Sequence, residues 1–199
     1  MEITAAMVKQ LRDQTGAGMM ECKAALKEAN GNIEAATTIL RKRGLAQATR
    51  KAGRSTNEGL IGSYLHMGGR IGVLVEVNCE SDFVARTDDF QSLAREIAMH
   101  IAAAAPQYVR REDIPPAVLD RERDVYRGQM EGQNKPPAVI GKIVEGKLNS
   151  FYEQVCLLDQ PSIRDPKTTI GQVVQQAVAK MGENITIPRF VRFKLGETA

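Results

Sequence analysis

The chain has 199 residues, of which 43% are hydrophobic and only 5% aromatic, and its formal net charge is +3. A chain of this length and composition can bury a sizeable core in one or two domains, which excludes a mainly disordered protein. The N-terminus lacks a secretory pattern, and no apolar run approaches the roughly 18 residues that span a membrane. We therefore expect a cytoplasmic protein without a membrane partner.

The positive charge is concentrated near the N-terminus. Ten basic and five acidic residues precede Glu58, whereas the rest of the chain carries 17 basic and 19 acidic residues. This asymmetry fits either an anionic partner or a solvated linker surface.

The three cysteines indicate no metal site. Cys22, Cys79 and Cys156 are odd in number, widely separated and without C-x-x-C spacing. Because neither a disulfide framework nor a zinc site has this arrangement, we expect reduced, mostly buried thiols.

Residues 1–45 predict a bundle of three short helices. Thr4 can cap the first helix, Met19 begins the second, and Asn32 can cap the third, which we expect to end at Gly44. A core of this size is marginal, so the bundle fits a recognition module better than an enzyme.

Residues 46–57 predict a partly helical basic linker, and residues 58–199 predict one α+β domain. A glycine pair at 68–69 supplies the turn of a hairpin between strands Glu58–His66 and Arg70–Asn78. A last strand, Ile185–Leu195, must pair with this hairpin non-locally. Apolar residues at steps of three and four predict four helices in this domain. The first ends before Pro106, the second lies near Val118 to Glu131, the third carries the apolar stripe from Ile140 to Val155, and the fourth runs from Thr168 or Thr169 to Gly182.

The motifs that mark common enzyme classes are missing from the sequence. It contains no G-x-x-x-x-G-K-[ST] or G-x-G-x-x-G loop. His66 and His100 are 34 residues apart, and neither lies near a serine or cysteine motif typical of a catalytic triad. We expect no enzymatic activity and no cofactor.

The segment Arg189–Phe193 (RFVRF) interleaves basic and aromatic residues, a pattern that can stack nucleobases. Alternate residues of a strand face opposite sides, however, so we expect Val191 and Phe193 in the core and Arg192 in solvent. The basic linker also has two possible interpretations, as a contact for RNA or as a segment that only aids solubility.

A second segment, Asn78–Thr87 (NCESDFVART), joins a predicted strand to a predicted helix. Asp82 could cap the helix, although Thr87 and Asp88 lie closer to its start. From the pattern alone, Phe83 fits a core position as well as an exposed binding position. Loops held between rigid elements are where binding residues tend to lie.

Several motifs occur in an order and spacing typical of one family. They are Ile3-Thr4, Thr15–Leu26 (TGAGMMECKAAL), Glu28–Gly31, Asn78–Val84 (NCESDFV) and Arg189–Phe193. Together they resemble bacterial elongation factor Ts over nearly the whole chain. The resemblance implies a ubiquitin-associated-like three-helix module, followed by an α+β core with a small antiparallel sheet and packed helices. It also implies a translation factor that exchanges guanine nucleotide on elongation factor Tu.

The resemblance implies a role for the loop Ser81, Asp82, Phe83 and Val84. The family's usual motif is Thr-Asp-Phe-Val, and serine keeps the hydroxyl while losing a methyl group. In the family this loop disturbs the partner's magnesium site, so Phe83 would wedge between partner helices while Asp82 bonds beside it.

Further contacts are implied outside the loop. Arg12, Met19 and Met20 match positions that touch the partner's nucleotide domain, and His66 matches a contact of the core. Because adjacent helical residues cannot both enter one small core, at least one of the two methionines should be exposed. The chain resembles the family's shorter members, which pair as homodimers, and no specific nucleic-acid partner is expected.

Two other functions remain open at this point. The protein could bind RNA through Arg41–Arg54 and the Arg189–Phe193 strand, with a steep salt dependence. It could instead be an adaptor in which only the three-helix bundle recognises a partner.

Overall fold

The structure is a computed structural model that describes residues 3–132 and 135–197. Within these residues the chain forms eight α-helices and one three-stranded sheet, which confirms the α+β class. The elements are α1 (Ala5–Thr15), α2 (Met19–Glu28), α3 (Ile33–Lys51), β1 (Glu58–Leu65), β2 (Ile71–Cys79), α4 (Asp82–Ala85), α5 (Asp88–Ala104), α6 (Pro116–Gly128), α7 (Pro137–Val155), α8 (Ile170–Met181) and β3 (Phe190–Lys194).

Helices α1, α2 and α3 form the predicted three-helix bundle. The Thr4 hydroxyl accepts a hydrogen bond from the amide of Met7, and the Asn32 side chain accepts one from the amide of Ala35, so both predicted caps are confirmed. The buried core consists of Val8, Leu11, Cys22, Ala25, Leu26, Ala36 and Leu40.

The predicted end of the third helix at Gly44 is wrong, because α3 continues to Lys51. A Cβ atom at Gly44 would lie 3.1 Å from the Cβ of Ala179. Gly44 therefore permits a close approach between α3 and α8 instead of ending the helix. Residues 46–51 are helical and the following residues are not, so the linker is partly helical as expected.

The sheet has the order β1-β2-β3, with β2 and β3 antiparallel in a register from Ile71↔Lys194 to Val75↔Phe190. Gly68 and Gly69 have φ values of +86° and +67° in the hairpin turn. Such values favour glycine, which explains the pair at this turn. On β2, the alternate residues Val73, Val75 and Val77 are buried, as predicted.

The side-chain orientation predicted for the last strand is wrong. Arg192 pairs with buried Val73, and its side chain is only 13% exposed, whereas Phe193 pairs with Gly72 and is 68% exposed. The Arg192 guanidinium donates to the carbonyl of Ala102, so its polar end remains satisfied on the inner side of the strand. Arg192 and Phe193 therefore do not form the mixed platform that nucleobase stacking would need.

The predicted apolar stripe of α5 is confirmed, with Phe90, Leu93, Ile97 and Ile101 all buried.

The chain forms two compact units. The first comprises the chain up to Ile61 with Glu76–Ala94 and Val173–Thr186, and the second comprises Gly62–Val75, Arg95–Gln172 and the chain from Ile187. The division at residues 45 and 57 stays a prediction. In the described part of the chain, no helix combines the length and apolar character of a membrane span.

Candidate partner-binding site

The loop after β2 contains a short helix that the sequence pattern did not predict. Helix α4 is only four residues long, and Ser81 caps it by accepting a hydrogen bond from the amide of Val84 at 3.4 Å. The Thr87 hydroxyl accepts from the amide of Phe90 at 3.3 Å and so caps α5, as proposed from the sequence. The sequence did contain one signal for this helix, because Ser81 is a residue type that caps helices and Asp82 directly follows it.

Phe83 occupies the exposed side of this short helix. Its side chain is 78% exposed, while the neighbouring Ala85 is buried. The sequence left a core position and a binding position equally open for Phe83, and the structure places it at the surface. A large aromatic side chain held in water by an ordered turn is typical of a protein contact.

Asp82 lies beside Phe83 at the start of α4. Its carboxylate accepts a hydrogen bond from the Arg86 guanidinium at 2.7 Å, and both side chains are substantially exposed. Surface pairs of this kind contribute about 0–1 kcal/mol. Little free energy is therefore lost if Asp82 exchanges this intramolecular partner for another donor.

Two glutamates fasten the base of the loop to the segment after α8. One Glu183 oxygen accepts from the amides of Glu80 and Ser81 at 3.1 and 3.0 Å, and the other accepts from the Ser81 hydroxyl at 2.6 Å. In return, the Glu80 carboxylate accepts from the amide of Asn184 at 2.6 Å and from Arg54 at 3.3 Å. The Asn184 amide and then Arg54 lower the pKa of Glu80, so its carboxylate is charged at neutral pH. We call Glu80, Ser81, Glu183 and Asn184 the crossed-glutamate cluster.

The predicted site residues of the bundle all lie at its surface. Met19 and Met20 are 55% and 77% exposed in the first turn of α2, and Arg12 is exposed in the last turn of α1. The expectation that at least one methionine is exposed is confirmed, since both are. Flexible thioethers at a surface suit protein binding.

His66 lies in the second compact unit. It directly follows β1, its side chain is exposed, and its Nδ1 atom is 3.1 Å from the hydroxyl of Tyr64. The hairpin turn fixes its backbone, because the His66 amide donates to Ile71 and its carbonyl accepts from Gly69. His66 is thus an accessible residue on a rigid turn.

The cysteines have the surroundings of structural thiols. Cys22, Cys79 and Cys156 are free and buried. Burial raises the pKa of Cys156 to about 11, and burial followed by the charge of Glu183 raises the pKa of Cys79. Since the thiolate is the reactive form, Cys79 is a poor nucleophile despite its place beside the loop. Within the described ranges, no cluster of three His, Cys, Asp or Glu residues could hold a metal ion.

Several basic residues between positions 41 and 54 have intramolecular partners. Arg43 pairs with Glu28 at 2.5 Å, Arg54 pairs with Glu80, and the Lys51 ammonium donates to the carbonyl of Gly182. These contacts direct three of the six basic side chains of this segment to the protein itself, which weakens the RNA-binding alternative.

Comparisons with known proteins agree over nearly the full length of the chain. The family model described as "Elongation factor TS" matches residues 2–197. The chain is 59% identical over 197 residues to Elongation factor Ts of Fervidobacterium nodosum, which covers 99% of this chain and 100% of that protein. It is 58% identical to Elongation factor Ts of Carboxydothermus hydrogenoformans (98% and 90% covered) and 55% identical to that of Solibacter usitatus (98% and 92% covered).

Proposed function

Because the chain belongs to the elongation factor Ts family and is a translation elongation factor, we propose that it is a guanine nucleotide exchange factor for elongation factor Tu. It binds the GDP form of that GTPase and promotes GDP release, so that GTP can bind. This role is cytoplasmic, and the factor itself makes or breaks no bond. The observation that carries the proposal is the exposed Phe83, presented beside Asp82 on a capped and fastened turn.

The loop supplies the contact that disturbs the partner's magnesium and phosphate site. Phe83 has most of its surface available for burial in an apolar gap of the partner, and Asp82 can accept a hydrogen bond beside it. Mg²⁺ in nucleotide sites is held by few protein ligands, so small shifts of its surroundings weaken it. By linkage, a factor that weakens nucleotide binding is itself bound more weakly when nucleotide is present, which keeps the ternary complex transient.

The bundle and His66 provide the remaining contacts of this proposal. Met19, Met20 and Arg12 would touch the partner's nucleotide domain, and His66 would contact it from the core. Exposed apolar side chains occur both on the bundle, at Met19 and Met20, and on the loop, at Phe83. This distribution supports the exchange hypothesis over an adaptor that uses the bundle alone.

Stopped-flow release of a fluorescent GDP from elongation factor Tu tests the proposal. We expect strong acceleration by the native chain and a roughly tenfold to hundredfold smaller effect of Phe83→Ala, because burying a phenylalanine contributes about 1.5–3 kcal/mol. Val125→Ala, which trims an exposed apolar residue of α6, is the control and should behave like the native chain. Native protein that leaves GDP release unchanged would overturn the proposed function.

We also propose that the protein is a homodimer. Leu65, Leu74, Val191 and Phe193 are exposed, and the strand register places Leu74 and Val191 opposite each other. Gly72 is the strand partner of Phe193, and a Cβ atom added at Gly72 would lie 3.7 Å from the Leu65 side chain. Leu65, Leu74, Val191 and Phe193 therefore share one side of the sheet. An apolar sheet surface of this kind is well matched by the same surface of a second copy.

A further inference from the structure

We propose that Glu183 is a positioning residue for Phe83. It holds the start of α4 in the pose that presents the aromatic ring to the GTPase, although it is about a hundred residues away in sequence. This inference rests on the proposed exchange function and assigns a role within it to a residue outside the loop.

The geometry shows how Glu183 controls the loop. Its carboxylate receives three hydrogen bonds, from two consecutive backbone amides and from the Ser81 hydroxyl, so it fixes both the backbone and the side chain of Ser81. The same hydroxyl accepts from the amide of Val84 and thereby begins α4. A continuous chain of hydrogen bonds therefore joins Glu183 to the helical turn that carries Phe83.

Two further contacts support the loop, since the Cys79 thiol donates to the carbonyl of Ser81 at 3.1 Å and Ala85 is buried, but neither engages the Ser81 hydroxyl that begins α4. Beside Phe83, the Asp82–Arg86 pair lies within the loop itself and cannot orient it against the rest of the protein. Glu80 supports the arrangement from the other side, because it holds the backbone of Asn184, next to Glu183. Charge-assisted hydrogen bonds of this kind are roughly twice as strong as neutral ones.

If Glu183 acts by positioning Phe83, its effect on function passes through Phe83, which gives the proposal a specific test. In GDP release from elongation factor Tu, Glu183→Ala should reduce the acceleration by roughly threefold to tenfold, and never by more than Phe83→Ala does. Glu183→Gln should retain most of the activity, because its amide oxygen can accept from the two backbone amides and its amide nitrogen can donate to Ser81. Glu145→Ala, an exposed position of α7, is the matched control.

A double-mutant cycle separates positioning from general damage to the fold. In the Phe83→Ala background, Glu183→Ala should change the rate by less than about twofold, because the side chain that it positions is already gone. Equal losses in the two backgrounds, or no loss in the native background, would overturn the proposal.

Amide hydrogen exchange of the free protein tests the same contact without the partner. Glu183→Ala should speed exchange at the amides of Glu80 and Ser81, which Glu183 protects, and leave the protection of α1, α2 and α3 unchanged. Unaltered exchange at these two amides would overturn the proposal even if GDP release is accelerated as expected. If the native chain fails to accelerate GDP release, the proposed function is what falls, and the exchange measurement still decides whether Glu183 holds the loop.

Discussion

At the scale of single residues, the buried imidazole of His100 is held as one tautomer of its neutral form. Its Nε2 atom lies 2.9 Å from Oε1 of Gln160, and the Gln160 amide nitrogen donates to the carbonyls of Gln154 and Ala104. This orientation of Gln160 makes Nε2 the protonated nitrogen of His100. Its Nδ1 atom is buried with no hydrogen-bond partner among the described residues, so a second proton there would be unsatisfied.

Acid should therefore destabilise the protein through His100. Burial lowers the pKa of His100, against smaller opposing effects of Gln160 and of Glu96, which pairs with Arg164. The unfolded chain takes up a proton as the pH falls below about 6.5, while the folded chain resists it. The contribution of neutral His100 to the free energy of unfolding is thus fully present above about pH 6.5, and it is lost as the pH falls toward the lowered pKa of the folded state.

Urea unfolding between pH 7.5 and 5 measures this effect. We expect the free energy of unfolding to fall with pH in the native protein and to fall less in His100→Gln, which keeps a donor for Gln160 but does not titrate. Val125→Ala, which changes an exposed residue of α6, is the control and should keep the native slope. A slope that His100→Gln leaves unchanged would contradict the assignment.

Part of the candidate site could be predicted at this scale. The caps at Thr4, Asn32 and Thr87 followed from side chains that accept local amide hydrogen bonds, which need no tertiary information. The exposure of Phe83 did not follow, because α4 is too short to show a helical period. Glu183 carried no signal either, since its partners lie about a hundred residues away.

At the scale of elements, two glycines within helices have opposite surroundings. A Cβ atom at Gly146 of α7 would meet no atom within 4 Å, whereas one at Gly44 of α3 would lie 3.1 Å from Ala179. Helix propensity favours alanine over glycine at both positions by about 0.5–1 kcal/mol. An alanine at Gly146 would gain this helix propensity without a packing cost, whereas an alanine at Gly44 would crowd Ala179.

Thermal or urea unfolding should separate these two positions. Gly146→Ala should raise the free energy of unfolding by about 0.5–1 kcal/mol. Gly44→Ala should gain less or lose stability, because α3 and α8 must move apart to admit the methyl group. Equal gains at both positions would show that the approach of α3 to Ala179 is not tight in solution.

The errors at this scale have a common cause. Periodicity identified the longer helices, the hairpin and the buried side of β2, but the inner side of β3 depends on its register with β2. A shift of one residue exchanges the two sides of a strand, and nothing local to Arg189–Phe193 specifies which side is inner. Gly44 was likewise taken as a helix end because its neighbour Ala179 belongs to a distant segment.

At the scale of the whole molecule, the open side of the sheet bears on oligomeric state. Phe193→Ser should convert a dimer to a monomer in sedimentation equilibrium, because each symmetric interface contains the substitution twice. The lost burial of two phenylalanines raises the dissociation constant by roughly a hundredfold or more. Val125→Ser, on exposed α6, is the control. A native protein that sediments as a monomer would contradict the proposal.

The fold class and the family were both accessible from the sequence, for different reasons. The α+β class followed from periodic patterns, whereas the proposed partner and the proposed site residues rest on the resemblance of ordered motifs such as Asn78–Val84. No physical pattern in one sequence identifies a GTPase as the partner, because the complementary surface belongs to another molecule.

The crossed-glutamate cluster also bears on when the protein becomes competent during its own synthesis. Ribosomes make chains from the N-terminus, so Phe83 leaves the exit tunnel long before Glu183 is added, 102 residues after Ser81. Until then the amides of Glu80 and Ser81 lack the carboxylate to which they donate in the finished protein. The turn that carries Phe83 therefore cannot gain its full set of hydrogen bonds until nearly the whole chain of this translation factor has been made.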